Sequence, residues 1–281
     1  MVEVEKKDFF SSHEIDLFFN FVRKHRGIDL TSYRKSFLIR RLKLRLSHLG
    51  LDNLLGYIQI LKKQPQEWDI FFDNLSINVS ELFRDPEVFA TFRDICIPSL
   101  IERKREQREK TIRCWSSGCS CGEEPYSLAI IFLEKLKNIN INDKFVLKIY
   151  GTDIDEQALK KAREGIYSER SLRNVDPLIL NKYFTPLGKG LYQVKDTLKE
   201  VVTFRKHNLL FDPPLKFIDV VFFRNVRIYF SLEESERILL EVYKSLKEGG
   251  YLVLGKVESV GVSLRNYFKP VSLLDKIFVK I

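Results

Sequence analysis

The sequence predicts an α/β protein in which a doubly wound parallel sheet follows an all-helical domain. After Pro86, short apolar runs alternate with amphipathic runs of helical period. From residue 9 to residue 73 the apolar positions recur at helical spacing alone. A glycine-bearing loop joins the first strand to the next helix, the place where open α/β sheets take ligands. The expected divisions are 1–74 for the helical domain and 75–281 for a connector and the sheet domain, with a small antiparallel β appendage at about 183–210.

In chain order, "SSHEIDLFFNFVRKHRG" opens on a serine cap with a glutamate in the first turn and stops at Gly27. "TSYRKSFLIRRLKLRLSHLG" repeats Leu38, Leu42, Leu46 and Leu49 and stops at Gly50. "LDNLLGYIQILKK" ends before Pro65, and "PQEWDIFFDNLS" is the fourth helix. Four strands are expected at "TIRCWSS", "KFVLKIYGTD", "FIDVVFFRN" and "YLVLGKV". Helices "EEPYSLAIIFLEKLK", "DEQALKKAREGIY" and "LEESERILLEVYKSLKEGG" lie between them. "GLYQVK" and "EVVTFRKHNLL" are the strand-like runs of the appendage, and "ERKREQREK" (102–110) reads as a solvated helix end.

Composition bounds the class. With 44% hydrophobic and 12% aromatic residues the chain can build one large core or two modest ones. It has no apolar run of about 18 residues, and "MVEVEKKDFF" lacks the basic-then-apolar order of a signal peptide, so a cytoplasmic location and no direct membrane insertion are expected. Cys96, Cys114, Cys119 and Cys121 are too few for a disulfide framework, and with no second pair or clustered histidines no metal is expected. The net charge of +9 is concentrated between Phe21 and Gly50, where Arg23, Lys24, Arg26, Arg34, Lys35, Arg40, Arg41, Lys43 and Arg45 face only Asp29. Such a segment suits an acidic partner.

The loop in "RCWSSGCSCGEEPYSLAI" carries the chemistry. Gly118 and Gly122 do not have dinucleotide-fingerprint spacing, and no phosphate-loop lysine follows. Glu123 and Glu124 would repel a pyrophosphate and favour an ammonium or sulfonium ligand. Asp153, in "GTDID" at the end of the second strand, stands where Rossmann-like sheets bind ribose hydroxyls. An adenosine without phosphates, joined to a cationic group, describes S-adenosyl-L-methionine; its demethylated product is S-adenosyl-L-homocysteine. The structural alternatives are Asp153 as the cap of the following helix and Glu123 as a partner of the helix dipole.

Five stretches then resemble one family. "NVSELFRDPEVF" (78–89), the glycine loop, "YGTDIDEQALKKAREGIY", "VTFRKHNLLFDPP" and "VVFFRNVRIYF" are similar, in this order and over essentially the whole chain, to the chemotaxis receptor methyltransferases, the CheR family. The resemblance implies a class I methyltransferase that carries the methyl of S-adenosylmethionine to glutamate side chains of transmembrane chemoreceptors. It implies that Asn78, Ser80 and Arg84 close over the cofactor, that Gly118 and Glu123 with their loop hold its methionine part, and that Asp153 holds its ribose. Asn208 and Leu209 would border the adenine, Asn225 and Val226 would line the site near the sulfur, and Tyr229 would sit near the methyl. Departures from the family pattern are Cys121 for threonine, Arg227 for an aliphatic residue, and "GKVES" for "GHSES".

A glutamate acceptor, with an ordinary pKa of about 4.3, is already the nucleophile at neutral pH, so the chemistry needs alignment and desolvation but no general base. Arg84 is expected to orient a carboxylate, of cofactor or substrate, and Tyr229 to position groups around the methyl. The basic helix 32–50 is expected to dock acidic cytoplasmic helices of a receptor, and the appendage offers a strand edge for a receptor tail peptide. Two other readings are a nucleic-acid methyltransferase, suggested by the basic segment and "DPPL" (212–215), and a non-catalytic module that binds the cofactor or a receptor, suggested by Arg227. "DPPL" precedes the "FIDVVFF" strand and lacks an aromatic, which favours a prolyl turn and no nucleic-acid partner.

Overall fold

A computed structural model describes residues 9–75, 80–137 and 144–281. The chain forms two compact units, one of Met1–Ile77 with Ile228–Ser235, the other of Asn78–Arg227 with Glu236–Ile281. The helical unit therefore takes in a second, distant segment that the expected division at 74 does not include.

In the helical unit, α1 (Ser12–Arg26) begins with a capping box. The Ser11 hydroxyl accepts the Glu14 N–H at 3.2 Å while the Ser11 N–H donates to Glu14 Oε2 at 3.0 Å. Gly27, at φ 68°, closes the helix. The expected second helix is interrupted. Asp29 accepts the Thr31 N–H and hydroxyl, which favours a 3₁₀ turn (Leu30–Ser32), and α2 (Lys35–His48) starts only after extended Tyr33. Tyr33 bridges to Phe230, and the Arg34 N–H donates to the Tyr229 carbonyl at 2.9 Å, so the break serves the distant segment. α3 (Leu54–Lys63) is capped by Asn53, and α4 (Gln66–Leu75) completes the bundle. Phe18, Val22, Leu38, Leu46, Tyr57 and Phe71 fill its core. Glu67 lies buried beneath them, held by both nitrogens of the Arg45 fork (2.7 and 2.5 Å) and by the Tyr57 hydroxyl at 2.8 Å. Arg45, counted among the docking cations from the sequence, thus serves the interior of the bundle.

The second unit starts with one long helix, α5 (Pro86–Thr91), a π turn (Phe92–Cys96) and α6 (Ile97–Glu106). Then follow β1 (Thr111–Ser117), α7 (Glu123–Leu136), β2 (Val146–Asp153), α8 (Glu156–Glu164), β3 (Ile166–Ser168), α9 (Pro177–Tyr183), β4 (Phe184–Gly188) and β5 (Leu191–Val194). The unit is completed by α10 (Asp196–Lys199), β6 (Val202–Lys206), β7 (Ile218–Phe223), α11 (Leu232–Ser245, begun in the other unit), β8 (Leu246–Leu254), β9 (Phe268–Ser272) and β10 (Ile277–Lys280). The large sheet has the order β6-β2-β1-β7-β8-β10-β9. Strands β6, β2, β1, β7 and β8 run parallel, β10 pairs antiparallel with β8, and β9 pairs antiparallel with β10. Progression away from β1 goes through β2 and β6 on one side and through β7 and β8 on the other, so the topological switch lies between β1 and β7. β7 is buried at every position, as expected of a strand covered on both faces.

Several features differ from the sequence reading. β8 begins at Leu246, inside the run read as the end of the last helix, and an antiparallel pair, β10 and β9, extends the sheet expected to be parallel. Val202–Lys206, assigned to the appendage, joins the large sheet parallel to β2, because the long connection from Asp153 to Val202, with α8 against both strands, supplies the crossover that a parallel neighbour needs. The small sheet is β3-β5-β4 and recruits Ile166 and Tyr167, read as a helix end; Gly165 at φ 66° stops α8 before them. The charged stretch 102–110 is not wholly solvated. Lys104, 1% exposed, pairs with Asp219 at 2.6 Å and Glu109 at 2.5 Å, and Asp219 also accepts the Arg113 N–H at 2.8 Å where β1 begins. A buried ammonium persists only with such partners.

Candidate active site

At the switch point β1 ends on Ser117, and the loop turns through left-handed Gly118 (φ 69°), Ser120 (φ 50°) and Gly122 (φ 91°) into α7. The N–H groups of Gly118 and Cys119 both donate to the Thr152 carbonyl, at 2.7 and 2.9 Å, tying the loop to the end of β2. A Cβ on Gly118 would stand 2.5 Å from Cγ2 of Val226. Glycine is thus demanded both by the backbone and by the close approach. Gly118→Ala is expected to cost about 1–2 kcal/mol of backbone strain and about 1–3 kcal/mol more for displacing Val226, read by urea unfolding, and to weaken cofactor binding.

Asp153 ends β2 half-buried, with each carboxylate oxygen anchored by one backbone donor. Oδ2 accepts the Ser120 N–H at 2.8 Å and Oδ1 the Asp155 N–H at 3.0 Å. Capping of α8 falls to Asp155, which accepts the Gln157 and Ala158 N–H groups, so the capping alternative for Asp153 is removed. Burial raises the Asp153 carboxyl above its ordinary value. Its oxygens keep lone pairs for further donors, such as a pair of hydroxyls.

The two adjacent acids of α7 have different surroundings. Glu124 accepts the Ser116 hydroxyl at 2.7 Å and is paired with Arg224 at 3.2 Å. Glu123 is 5% exposed, and its Oε2 is buried without a hydrogen-bond partner. Burial pushes the Glu123 carboxyl up to about 7, against the lowering effect of a hydrogen bond with Ser80. An orphaned buried carboxylate oxygen fits a ligand that brings its own cation.

The segment bearing Ser80 and Arg84 is fixed from several sides. The Leu82 N–H donates to the Ser171 carbonyl at 2.9 Å and the Phe83 N–H to the Ser127 hydroxyl at 2.8 Å. Asp85, in the left-handed region at φ 59°, pairs with Arg224 at 2.5 Å and Lys256 at 3.1 Å. Burial raises the Glu124 carboxyl, opposed mainly by Arg224 and, to a smaller extent, by the charge of Arg84. Sequence reasoning passed over Arg224, whose side chain is 1% exposed and bridges Asp85 to Glu124; an arginine closing the apolar run "VVFF" was the available signal.

Asn225 follows at φ 59°, its N–H donating to Glu258, and Val226 is buried against Gly118. Arg227 is buried, hydrogen-bonded to the Ser259 carbonyl and paired with Glu236 at 3.0 Å, so the departure from an aliphatic residue has a local structural role. Asn208 closes an Asx turn, its side-chain oxygen accepting the Leu210 N–H at 3.0 Å, with Leu209 half-buried in that turn. The His207 N–H donates to the Asp153 carbonyl at 2.9 Å, and its ring Nε2 donates to the Pro213 carbonyl at 3.1 Å within the "DPPL" turn. Burial raises the Cys119 and Cys121 thiols, keeping them protonated near neutrality. Among the described residues no three His, Cys, Asp or Glu side chains cluster as a metal site would.

The structure thus brings together Ser80, Gly118, Glu123, Asp153 and Val226 around the end of β1. Tyr229 belongs to the helical unit, where its ring lies 5.0 Å from that of Phe37. Asn78 falls outside the described residues.

A mostly parallel sheet with this switch point, a glycine loop leading to a buried carboxylate with one unpaired oxygen and an anchored acid on the second strand define a class I S-adenosylmethionine-dependent methyltransferase. The chain matches the CheR methyltransferase all-alpha domain over residues 13–76 and the CheR methyltransferase SAM-binding domain over 78–277. It is 33% identical to a chemotaxis protein methyltransferase of Borreliella burgdorferi, over 92% of each chain. It is 34% identical to chemotaxis protein methyltransferase 1 of Pseudomonas aeruginosa, over 92% of this chain and 94% of that one. The corresponding Escherichia coli protein is 34% identical over 83% of this chain and 79% of its own length. The chain belongs to the CheR methyltransferase family, and S-adenosylmethionine is its cofactor.

With the Glu123 carboxyl pushed up to about 7, its expected role as partner of the cofactor's ammonium predicts a cofactor affinity that falls about eightfold from pH 7.5 to pH 6. Titration calorimetry across that range checks this, and Glu123→Gln flattens the profile. Without cofactor the sign for stability is opposite. The folded state favours protonated Glu123, so its contribution declines as pH rises from the ordinary carboxylate range to about 7.

Proposed function

We propose that the chain transfers the methyl group of S-adenosylmethionine to glutamate side-chain carboxylates of chemoreceptors, forming glutamyl methyl esters in sensory adaptation. The observation that carries this reading is the match of both family domains, in order, together with relatives named chemotaxis protein methyltransferase over nearly their full length.

When bound, the cofactor supplies a methyl group activated by a sulfonium. Glu123 holds the ammonium of its methionine part, with the Gly118 loop beside it, and Asp153 accepts its ribose hydroxyls. Asn208 and Leu209 border the adenine, and Asn225 and Val226 line the wall near the reacting atoms. Asn78 and Ser80 cover the cofactor, Arg84 orients a carboxylate, and Tyr229 positions groups around the methyl. The acceptor glutamate enters ionised, so the protein supplies alignment and exclusion of water and takes up no proton.

The receptor's acidic helices dock on α2, where Lys35 and Arg40 are exposed and no acid intervenes between Lys35 and His48. A receptor tail peptide has an edge of the β3-β5-β4 sheet to extend. The chain works in the cytoplasm, where the receptor segments that carry the acceptor glutamates lie. No helix among its described residues is long and apolar enough to cross a membrane.

The test is transfer of labelled methyl to a purified receptor cytoplasmic fragment, followed by mild alkali. Volatile methanol released from labelled glutamates supports the reading. Alkali-stable label, or label entering RNA or DNA instead, overturns it.

A further inference from the structure

We propose that Glu258 is a positioning residue for methyl transfer, acting through the backbone of Asn225; the proposal rests on the reading above. Glu258 is 6% exposed, and its partners are backbone N–H groups. Oε2 accepts from Asn225 at 3.0 Å and from Gly255 at 2.7 Å, while Oε1 accepts from Arg227 at 3.0 Å. The Glu258 N–H returns to the Gly255 carbonyl at 2.9 Å, closing the turn that presents the carboxylate.

A buried carboxylate on which three main-chain N–H groups converge fixes backbone conformation. Converging N–H groups form a concave anion site, and here the anion is supplied by the chain itself. Its effect falls on Asn225, held at φ 59° in the left-handed region, which asparagine enters more readily than other L-residues and which the three bonds to Glu258 hold in register with its neighbours. The next residue, Val226, leans on Gly118 of the cofactor loop. The approach requires Gly255, since a Cβ there would stand 2.7 Å from Glu258 Oε2 and 3.0 Å from the Asn225 nitrogen. Without the carboxylate, Asn225 relaxes toward negative φ and carries Val226 with it. A shift of about 1 Å at reacting groups can cost on the order of 100-fold in rate.

Glu258→Gln separates positioning from mere stability. Its amide oxygen can keep the Asn225 and Gly255 bonds, but its NH₂ then faces the Arg227 N–H, donor against donor. The expected result with the full chain is a kcat on the receptor fragment lowered about 10- to 100-fold, with the dissociation constant for S-adenosylhomocysteine changed less than about threefold. Rates are expressed per calorimetrically counted binding site, so that a smaller folded fraction is not mistaken for a slower enzyme. Glu258→Ala falls further; where it does not fold, Gly255→Ala, which displaces the carboxylate without removing it, takes its place. A folded Glu258→Gln with wild-type kcat per site overturns the proposal. A wild type that labels no receptor fragment overturns the acceptor reading instead. In that case amide hydrogen exchange across residues 224–228, with S-adenosylhomocysteine bound, decides the positioning: faster exchange in Glu258→Gln supports it, and unchanged exchange sinks it.

Discussion

Asp153→Ala is expected to lower affinity for S-adenosylmethionine by at least about 100-fold. Two charge-assisted hydrogen bonds to a ribose are each worth about 1.5–3 kcal/mol, and both end on this carboxylate in the proposed role. A second loss adds to the first. The Ser120 and Asp155 N–H groups, which now donate to Asp153, lose their acceptor, and the Ser120 turn carries the glycine loop. Asp153→Asn keeps one acceptor and is expected to fall between wild type and alanine. Calorimetric titration with S-adenosylhomocysteine measures both variants, and an alanine variant that binds within threefold of wild type would remove Asp153 from the cofactor site.

Arg224→Met is expected to destabilise the protein by about 3–5 kcal/mol, the cost of removing one member of a buried charge cluster. Asp85 and Glu124 lose the guanidinium that separates them, and Glu124 is already raised by burial. The deficit has a direction in pH. Without Arg224 the folded state holds a proton on Glu124 more tightly than the unfolded chain does, so the variant loses stability as pH rises above the ordinary carboxylate range. Urea unfolding at pH 5.5 and pH 8 should therefore show the larger gap from wild type at pH 8. Glu124→Gln in the same chain should recover part of it. Equal gaps at both pH values would mean that the lost packing of the arginine, rather than the stranded acids, sets the cost.

How much of this was legible in the sequence depends on whether a signal is local. β1 spans the expected Thr111–Ser117, a short strand-forming stretch with Ile112, Cys114 and Trp115 buried that stops at Gly118. Gly27, Gly50 and Pro65 likewise marked where helices end. Long-range pairing was not legible. "EVVTF" reads as a short strand next to the appendage, and only its parallel pairing with β2, across a connection that includes α8, assigns it to the edge of the large sheet. The break before α2 is explained by Phe230, nearly two hundred residues away. In the site, Gly118, Glu123 and Asp153 stood out because their types and spacing suit the ligand. Adjacent acids are indistinguishable in sequence, however, and only the structure separates the ion-paired Glu124 from Glu123, whose Oε2 has no partner, or the capping Asp155 from Asp153. Arg224 and Glu258 were missed because their partners lie in other segments.

The helical unit closes with Ile228–Ser235, a stretch encoded far downstream of its four helices. Its gene segment therefore cannot be exchanged between relatives by a single crossover after residue 77. Such a hybrid would inherit α2 from one parent and, from the other, the strand-like piece against which Tyr33 and Arg34 are set. Recombination that leaves this unit intact needs a second junction, and the two pieces are expected to drift as a matched pair while the sheet between them varies independently.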